Sequence, residues 1–441
     1  MSDRSKTGRR QFLKRAAGIA GAPVVFPYIV PSSALGLDGA VAPSDRVTIG
    51  FIGVGNMGQA HLRPFIYQSN VQAVAVCDPN RWRREQAQHI VNGEYDKQVC
   101  AAYVDFRELL ARRDVDAVCI ASLDSWHVVH ALAAVRAGKD VYVQKPLGMS
   151  IGEIKLLRDE ANRYSRVFQF GTQQRSSKEF RFACELVRNG RIGKLQTILV
   201  GVPYDFVVPN QPTQPVPEDL DYDMWLGAAP WAPYSYQRCR PWTQEESYSN
   251  WYHISDYCLG GIGGYWGVHH VDIGQWGHGT DNTGPVEIEG TAVFPKDGLA
   301  DCATSWKVTH KYADGVTMVY MDEAQYKHGV TFQGSEGWVH ITRQGIWAEP
   351  QSLLTSVIGR DEIHLIESKG HQRDFLDAVK TRGRTICPID VAVRTDTICH
   401  LTDICTRLGR KLRWDPAKEN FIDDAEASRM LMRPMRSPWH L

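Results

Sequence analysis

The chain lacks an excess of either charge, a long apolar run after its first forty residues, and any closely paired cysteines. Lys plus Arg number 50 and Asp plus Glu number 50, so electrostatics gives no case for binding nucleic acid or an anionic membrane. No run beyond residue 40 is long enough to form a stable membrane span. The ten cysteines contain no CxxC pair, so we expect mostly packed, free thiols, and the spacing names no disulfide.

Residues 1–42 are interpreted as an export signal and linker. Arg9 and Arg10 precede Phe12 and Leu13, and a weakly apolar stretch with prolines and glycines follows. This pattern is typical of a twin-arginine signal and predicts a periplasmic protein, with a disordered basic tail as the alternative. Because this route carries folded proteins, an exported redox enzyme would take its cofactor with it and reset that cofactor within each cycle.

The rest of the chain changes its pattern near Gly171. Before it, strand-like and helical runs alternate, which predicts a doubly wound parallel sheet. The expected strands are 47–54, 71–78, 117–122, 140–144 and 167–170. The expected helices are 58–69, 84–93, 106–112, 125–137 and 152–163. Beyond Gly171, longer alternating runs predict a large, open, mostly antiparallel sheet, and they include 195–203, 286–294, 302–310 and 316–323.

The 441 residues are enough for two substantial cores. We therefore predict an α/β Rossmann domain at residues 45–170 and an α+β substrate-binding domain at 171–370. Helical patterns at 370–381 and 391–408 predict that residues 371–441 return to the first domain.

A glycine-rich turn follows the first predicted strand. Gly53, Gly55 and Gly58 form a GxGxxG pattern, and Asp78 ends the next strand, as in a dinucleotide-binding fingerprint. The glycines permit the sharp turn, the approach of a pyrophosphate to the backbone, and close packing of the helix whose N-terminus stabilises the phosphates. An acid at Asp78 would bind the ribose diol and favours NAD, while two nearby arginines leave NADP open.

Later strand ends add polar groups to the same edge of the sheet, where doubly wound folds bind ligands. We expect Lys145, held between Gln144 and Pro146, to point into this crevice beside a nicotinamide ring; a surface lysine in a loop is the alternative. The predicted cofactor contacts are Gly53, Gly55, Asn56, Met57, Gly58, Asp78, Ser122, His127, Gln144 and Lys145.

A second glycine-rich stretch begins at Gly260 and continues as a predicted helix. His269 lies on the first turn and shares a helix face with Asp272. Glycines let the backbone of this loop approach a ligand closely. Since His269 lies on the first helical turn after the loop, we expect it to face the crevice and to act as an acid–base group. We expect Asp272 to orient the substrate or the histidine.

Several side chains are candidates for substrate contacts. Gln174 and Arg175 directly follow the last parallel strand, and tryptophans are dense between residues 225 and 276. Aromatic faces cover the apolar C–H face of a sugar ring, although core packing is the alternative for any single tryptophan. The predicted substrate contacts are Gln174, Arg175, Trp251, Trp266, His270 and Asp272. No carboxylate or cysteine accompanies the histidines at metal-ligand spacing, so no metal is expected.

Together, the fingerprint at Gly53, the Gln-Lys-Pro strand end at Lys145 and the glycine-rich stretch ending in His269 and Asp272 resemble the glucose-fructose oxidoreductase/inositol dehydrogenase (Gfo/Idh/MocA) family. The resemblance covers nearly all of the chain after the signal. It implies a Rossmann domain followed by an open antiparallel sheet that often forms subunit contacts, and hence a homo-oligomer. It also implies that Lys145 contacts cofactor and a substrate hydroxyl, and that His269 is the acid–base residue.

Two positions depart from the family pattern. Gln144 replaces a glutamate, which removes a carboxylate partner and would make the Lys145 ammonium easier to deprotonate. Tyr265 replaces an aspartate four residues before His269. A tyrosine is a poor base at neutral pH unless a nearby cation lowers its pKa. Two hypotheses follow: Tyr265 is a third catalytic residue that works with Lys145, or it shapes the pocket while His269 acts alone.

The sequence therefore predicts an exported NAD(P)-dependent oxidoreductase with a tightly held cofactor. It would transfer a hydride to or from a carbinol carbon of a sugar, sugar derivative or cyclitol. One alternative is a redox-neutral NAD-dependent glycosidase or lyase, in which transient oxidation acidifies a neighbouring C–H bond and the glycosidic bond leaves by elimination. The second alternative is a non-catalytic sugar- or cofactor-binding protein.

Overall fold

Residues 41–240 and 250–441 are described in a computed structural model of the protein. The twin-arginine motif and nearly all of the predicted signal lie outside these residues. Residues 41–46 contain one short 3₁₀ turn, Pro43–Asp45. In the described parts of the chain, no helix has both the length and the apolar character that crossing a membrane requires.

Six parallel strands alternate with helices in the first half of the chain, which confirms the predicted doubly wound sheet; the short strand Ala101–Tyr103 was not among the five expected. The strands are β1 (Val47–Ile52), β2 (Val71–Cys77), β3 (Ala101–Tyr103), β4 (Ala117–Ile120), β5 (Asp140–Val143) and β6 (Phe168–Phe170). The helices are α1 (Asn56–Ile66), α2 (Arg81–Glu94), α3 (Phe106–Leu110), α4 (Asp124–Arg136) and α5 (Ile151–Arg163). The strand order is β3-β2-β1-β4-β5-β6, so a crevice opens where the order reverses between β1 and β4.

The second half of the chain builds a nine-stranded sheet of order β13-β12-β11-β7-β10-β9-β8-β14-β15. Its strands are β7 (Leu195–Val202), β8 (Glu287–Val293), β9 (Ser305–Lys311), β10 (Thr317–Asp322), β11 (Gly329–Gly334), β12 (Trp338–Thr342), β13 (Gly345–Glu349), β14 (Leu412–Asp415) and β15 (Asn420–Phe421). The pair β7 and β10 runs parallel and its neighbours run antiparallel, which confirms the mostly antiparallel prediction.

The α-helices described after β6 include some that pack on this sheet and some that return to the first domain. They are α6 (Lys178–Arg188), α7 (Tyr222–Leu226), α8 (Gly267–His278), α9 (His371–Thr381), α10 (Ile389–Leu408) and α11 (Ala425–Arg429). Helix α8 packs on β7 and β11. Phe375 and Leu376 of α9 are buried in the Rossmann core with Ile49 of β1, and α10 contacts α5 as well as α8. The exact domain boundaries stay predictions.

All ten cysteines are buried and free, which confirms the expectation of packed thiols. Burial raises the pKa of each of the thiols at Cys77, Cys119 and Cys405, because the apolar interior disfavours a thiolate. The cysteines therefore contribute to packing in their reduced form.

Candidate active site

A cleft of about 990 Å³ opens at the carboxyl ends of β1, β4 and β5. Such an edge is where a doubly wound sheet binds its ligand. The predicted cofactor residues that line this cleft are Gly53, Gly55, Asn56, Met57, Asp78, Ser122, His127, Gln144 and Lys145. Trp251, predicted as a substrate contact, lines the same cleft.

The glycine turn after β1 has no room for side chains at two of its positions. Gly53 has a φ of +81°, and a Cβ there would lie 2.5 Å from the backbone nitrogen of Ser122. A Cβ on Gly58 would lie 2.1 Å from the carbonyl oxygen of Gly53, so Gly58 serves the packing of α1 against β1 and does not line the cleft. The bare backbone of this turn fits the pyrophosphate of a dinucleotide.

Asp78 is fixed at the cleft by the backbone around it. Its carboxylate accepts hydrogen bonds from the backbone N–H of Val54 at 3.0 Å and of Asn80 at 2.9 Å. The guanidinium of Arg83 also lines the cleft, close to Gly55. A carboxylate and a guanidinium thus stand at the same end of the cleft, and the preference for NAD over NADP stays a prediction.

Lys145, just after β5, connects the cleft to the second domain. Its Nζ donates to the carbonyl oxygens of Gly264 and, at 3.0 Å, Tyr265. Burial lowers the pKa of Lys145, and the nearby carboxylate of Asp124 opposes this shift. The Gln144 side-chain oxygen accepts from the Lys145 backbone N–H at 3.1 Å, and the Gln144 amide also interacts with the buried imidazole of His61.

Asp124 is a site residue that was not predicted from the sequence. It is the first residue of α4, directly after the β4 strand end, and it lines the cleft. Burial raises the pKa of its carboxyl, although the Lys145 charge acts in the opposite direction. Its position on the first helical turn after a parallel strand was the available signal.

His127 joins two strand ends at the edge of the cleft. Its Nδ1 lies 2.6 Å from the carbonyl oxygen of Pro146, and its Nε2 lies 3.2 Å from that of Ser122. Burial lowers the pKa of His127 to about 4, so the imidazole is neutral and donates through one nitrogen. We assign the donated bond to the shorter contact, which holds the Lys145–Pro146 turn in place.

His269 lies on α8, behind the loop that Lys145 binds, and is not among the residues lining the cleft. Burial lowers its pKa well below the usual value, and the charges of Lys145 and Arg343 lower it further. Its Nδ1 has no partner among the described residues. The Tyr265 side chain is 39% exposed and its ring contacts that of Tyr252 edge-on.

The predicted substrate contacts Arg175 and Asp272 bind each other in the interior. Arg175 Nε and Nη2 donate to the two Asp272 oxygens at 2.7 and 2.8 Å, and Asp281 binds the same guanidinium. Thr395 donates to Asp272 at 3.0 Å. This ion pair joins the segment after β6 to α8, so its geometry favours a positioning role. Gln174 is also buried, and neither of its amide atoms has a partner in the described chain.

The remaining predicted contacts are aromatic or imidazole rings. Trp251 stacks on Tyr252 with ring centroids 3.8 Å apart, and Trp266 stacks on His270 at 5.6 Å. Among the residues that the structure describes, no group of three His, Cys, Asp or Glu is placed to hold a metal ion.

A second group of side chains that was not predicted from the sequence lies at the wall of the cleft. The rings of Trp126 and His130 stack at 4.5 Å, and Trp439 meets Trp126 edge-on at 4.7 Å. His130 Nδ1 lies 3.1 Å from the hydroxyl of Ser122. No local sequence pattern reveals this group, because Trp439 is separated from its partners by most of the chain.

Two models of one protein family match this chain. The "oxidoreductase family, NAD-binding Rossmann fold" model covers residues 47–172, and the C-terminal alpha/beta domain model of the same family covers residues 204–441. The chain belongs to the Gfo/Idh/MocA oxidoreductase family. The resemblance seen in the sequence and the prediction of an NAD-binding Rossmann domain are confirmed.

Three known proteins are similar to part or most of the chain. The α-N-acetylgalactosaminidase of Shewanella oneidensis is 32% identical over 202 residues, which is 42% of this chain and 44% of that protein; the chain thus matches less than half the length of this relative. The structure of a levoglucosan dehydrogenase in complex with NADH and levoglucosan aligns with a TM-score of 0.60 at 15% identity, over 83% of this chain and 99% of that one. A scyllo-inositol dehydrogenase from Lactobacillus casei aligns with a TM-score of 0.55 at 14% identity, with the same coverage.

Replacing Asp272 tests whether this residue of the Gfo/Idh/MocA protein supports the fold or binds substrate. In Asp272→Ala, the Arg175 guanidinium stays buried with a partner lost, and we expect a loss of about 3–5 kcal/mol in unfolding free energy by urea titration. Asp281→Ala is the matched control, and we expect a smaller loss because the two Asp272 bonds remain. An Asp272→Ala protein with unchanged unfolding and only a raised KM would instead show a substrate contact.

Proposed function

We propose that the protein is an NAD(P)-dependent oxidoreductase acting on a carbinol carbon of a sugar, sugar derivative or cyclitol. The observation that carries this proposal is the position of Lys145. It lines the same cleft as the glycine turn and binds the loop that leads into the helix of His269. A bound nicotinamide would supply the hydride acceptor or donor.

Lys145 would bind the reacting oxygen of the substrate. An ammonium has three N–H groups, and two of them donate to the carbonyls of Gly264 and Tyr265. The third is left for a carbinol or carbonyl oxygen. In its ammonium form, this buried donor would stabilise the negative charge that develops on that oxygen during hydride transfer.

His269 would carry the proton. Since burial lowers its pKa well below the usual value, the imidazole is neutral near pH 7 and is able to accept the proton of the substrate hydroxyl. The role of Tyr265 stays open between the two hypotheses: Lys145 binds its backbone carbonyl, and that contact does not depend on the side chain.

Variants of the two proposed catalytic residues test this function. We expect Lys145→Met and His269→Ala each to lower kcat by about 10²- to 10⁴-fold, measured through NADH absorbance, because each removes a group that acts on the moving proton or oxygen. Lys139→Met is the matched control, since Lys139 also donates to two backbone carbonyls, away from the cleft. His310→Ala, another buried neutral imidazole, controls for His269. Wild-type kcat in the two site variants would contradict the proposal.

The pH profile gives a second readout in the same assay. A base with a lowered pKa stays active as the pH falls, and it is lost only when the pH passes through that lowered value. We therefore expect the acid limb of kcat/KM to lie below the ordinary histidine value of about 6.5. In this assay, a Tyr265→Phe protein with unchanged turnover at saturating substrate would remove the tyrosine from the catalytic group.

A redox-neutral glycosidase is the second candidate, because the Shewanella relative is named an α-N-acetylgalactosaminidase. The same residues would serve it: transient oxidation acidifies the neighbouring C–H bond, the glycosidic oxygen leaves by elimination, water adds, and the hydride returns. The Lys145 ammonium would stabilise the intermediate enolate.

Incubation with nitrophenyl α-N-acetylgalactosaminide and no added cofactor distinguishes the two candidates. The glycosidase predicts release of nitrophenol with no net change in NADH absorbance. In heavy water it also predicts deuterium in the released sugar at the carbon beside the oxidised one, which direct hydrolysis does not give. Sugar oxidation that requires added NAD, with no nitrophenol released, would support the oxidoreductase instead.

We also propose export by the twin-arginine route to the periplasm. The Arg9–Arg10 motif supports it, and so do the ten buried thiols, since a chain folded before export presents no reactive thiol to an oxidising compartment. We expect Arg9→Lys/Arg10→Lys to keep the protein in the cytoplasm in cell fractionation, whereas Arg4→Lys, the control, is exported. Equal export of both variants would count against this route. The homo-oligomer stays a prediction.

A further inference from the structure

A group of cationic and imidazole side chains surrounds Trp266 in the second domain. The Arg343 guanidinium lies 4.4 Å from the centre of the Trp266 ring. The His270 ring stacks on the same indole at 5.6 Å, and the His328 ring meets it edge-on at 4.9 Å. We call Trp266, His270, His328 and Arg343 the Trp266 cluster. It is assembled from α8 and the residue before it, the segment before β11, and the turn between β12 and β13.

Among residues 41–240 and 250–441, no carboxylate forms an ion pair with Arg343. Stacking on an indole uses the flat face of a guanidinium and leaves its N–H edges free. Those edges match two oxygens of a carboxylate or of a sulfate group. Arg343 is an exposed residue whose guanidinium lies over the indole and keeps N–H donors for a ligand.

The two histidines of the cluster add one more donor. Their Nε2 atoms are 3.3 Å apart, so in the neutral pair one Nε2–H donates to the other. The donating ring then has a bare Nδ1, and the accepting ring carries its hydrogen on Nδ1. Both Nδ1 atoms are buried without a partner in the described chain. One N–H therefore lacks an acceptor in the protein itself.

The cluster lies close to one of the proposed catalytic residues, because the ring centroids of Trp266 and His269 are 5.8 Å apart. Burial is the main cause of the lowered pKa of four groups, and the positive charge of Arg343 lowers each of these pKa values further. These groups are Lys145, His269, His270 and His328. Two carboxylates act in the opposite direction: Asp124 raises the pKa of Lys145, and Glu323 raises the pKa of His328. The region is electrostatically suited to receive an anion.

We propose that the Trp266 cluster is a subsite for an anionic oxygen group on the substrate, so that the substrate is a sugar or cyclitol carrying a carboxylate or a sulfate ester. This inference rests on the proposed function and narrows its substrate class. Arg343 binds the two oxygens through its edge, and the indole of Trp266 covers the neighbouring C–H face of the ring.

Binding of three sugars that differ at one carbon tests the subsite. In calorimetry with NAD present, we expect glucuronate or glucose 6-sulfate to bind at least about tenfold more tightly than glucose, as a charge-assisted contact requires. The difference in affinity between the anionic sugars and glucose should disappear in Arg343→Gln. It should persist in Arg163→Gln, which removes another arginine that lies over an aromatic ring, on α5. If glucuronate binds more tightly than glucose 6-sulfate, the subsite takes a carboxylate; the reverse order shows that it takes a sulfate ester.

The outcomes separate this inference from the proposed function. No preference for either anionic sugar, or a preference that survives in Arg343→Gln, would overturn the subsite. NADH formation in the same samples reports on the oxidoreductase. An anionic sugar that binds through Arg343 without hydride transfer retains the subsite and counts against the oxidoreductase, whereas equal oxidation of glucose and glucuronate supports the oxidoreductase and overturns the subsite.

Discussion

The buried ammonium of Lys145 and its bonds to the carbonyls of Gly264 and Tyr265 are the contact on which the site depends. A lysine loses much hydration when it is buried, and backbone carbonyls together with the Asp124 carboxylate replace part of it. The same bonds fix the loop before α8. The nucleotide cleft of the first domain and the histidine of the second are thereby held in a single arrangement.

Burial also decides the protonation state of the imidazoles around this contact. His127 and His269 both have lowered pKa values for that reason, so they are neutral near pH 7. A neutral His127 holds the Pro146 carbonyl and so orients the Lys145 turn, whereas a neutral His269 is left with an unpartnered nitrogen. One physical cause therefore gives a structural role to one histidine and is consistent with the proposed acid–base role of the other.

Local patterns were sufficient to predict the fold class and that the glycine turn and Lys145 would meet at one cleft. The glycine turn at Gly53 and the strand end at Lys145 are contiguous segments, and the parallel sheet brings their ends together whatever the details of packing. Arg343, Trp439 and the Arg175–Asp272 pair could not be found in this way. Each acquires its surroundings from segments distant in sequence, and Arg175 resembles a ligand-binding side chain until its two carboxylate partners are seen.

The return of α9 to the Rossmann core limits how the protein is able to move. A hinge rotation that carried α9 away with the second domain would withdraw Phe375 and Leu376 from that core and expose them to water. A nucleotide that entered or left the cleft without that rotation would have to pass the loops at its rim. Slow passage there would make the nucleotide behave as a prosthetic group, as the prediction of a tightly held cofactor requires.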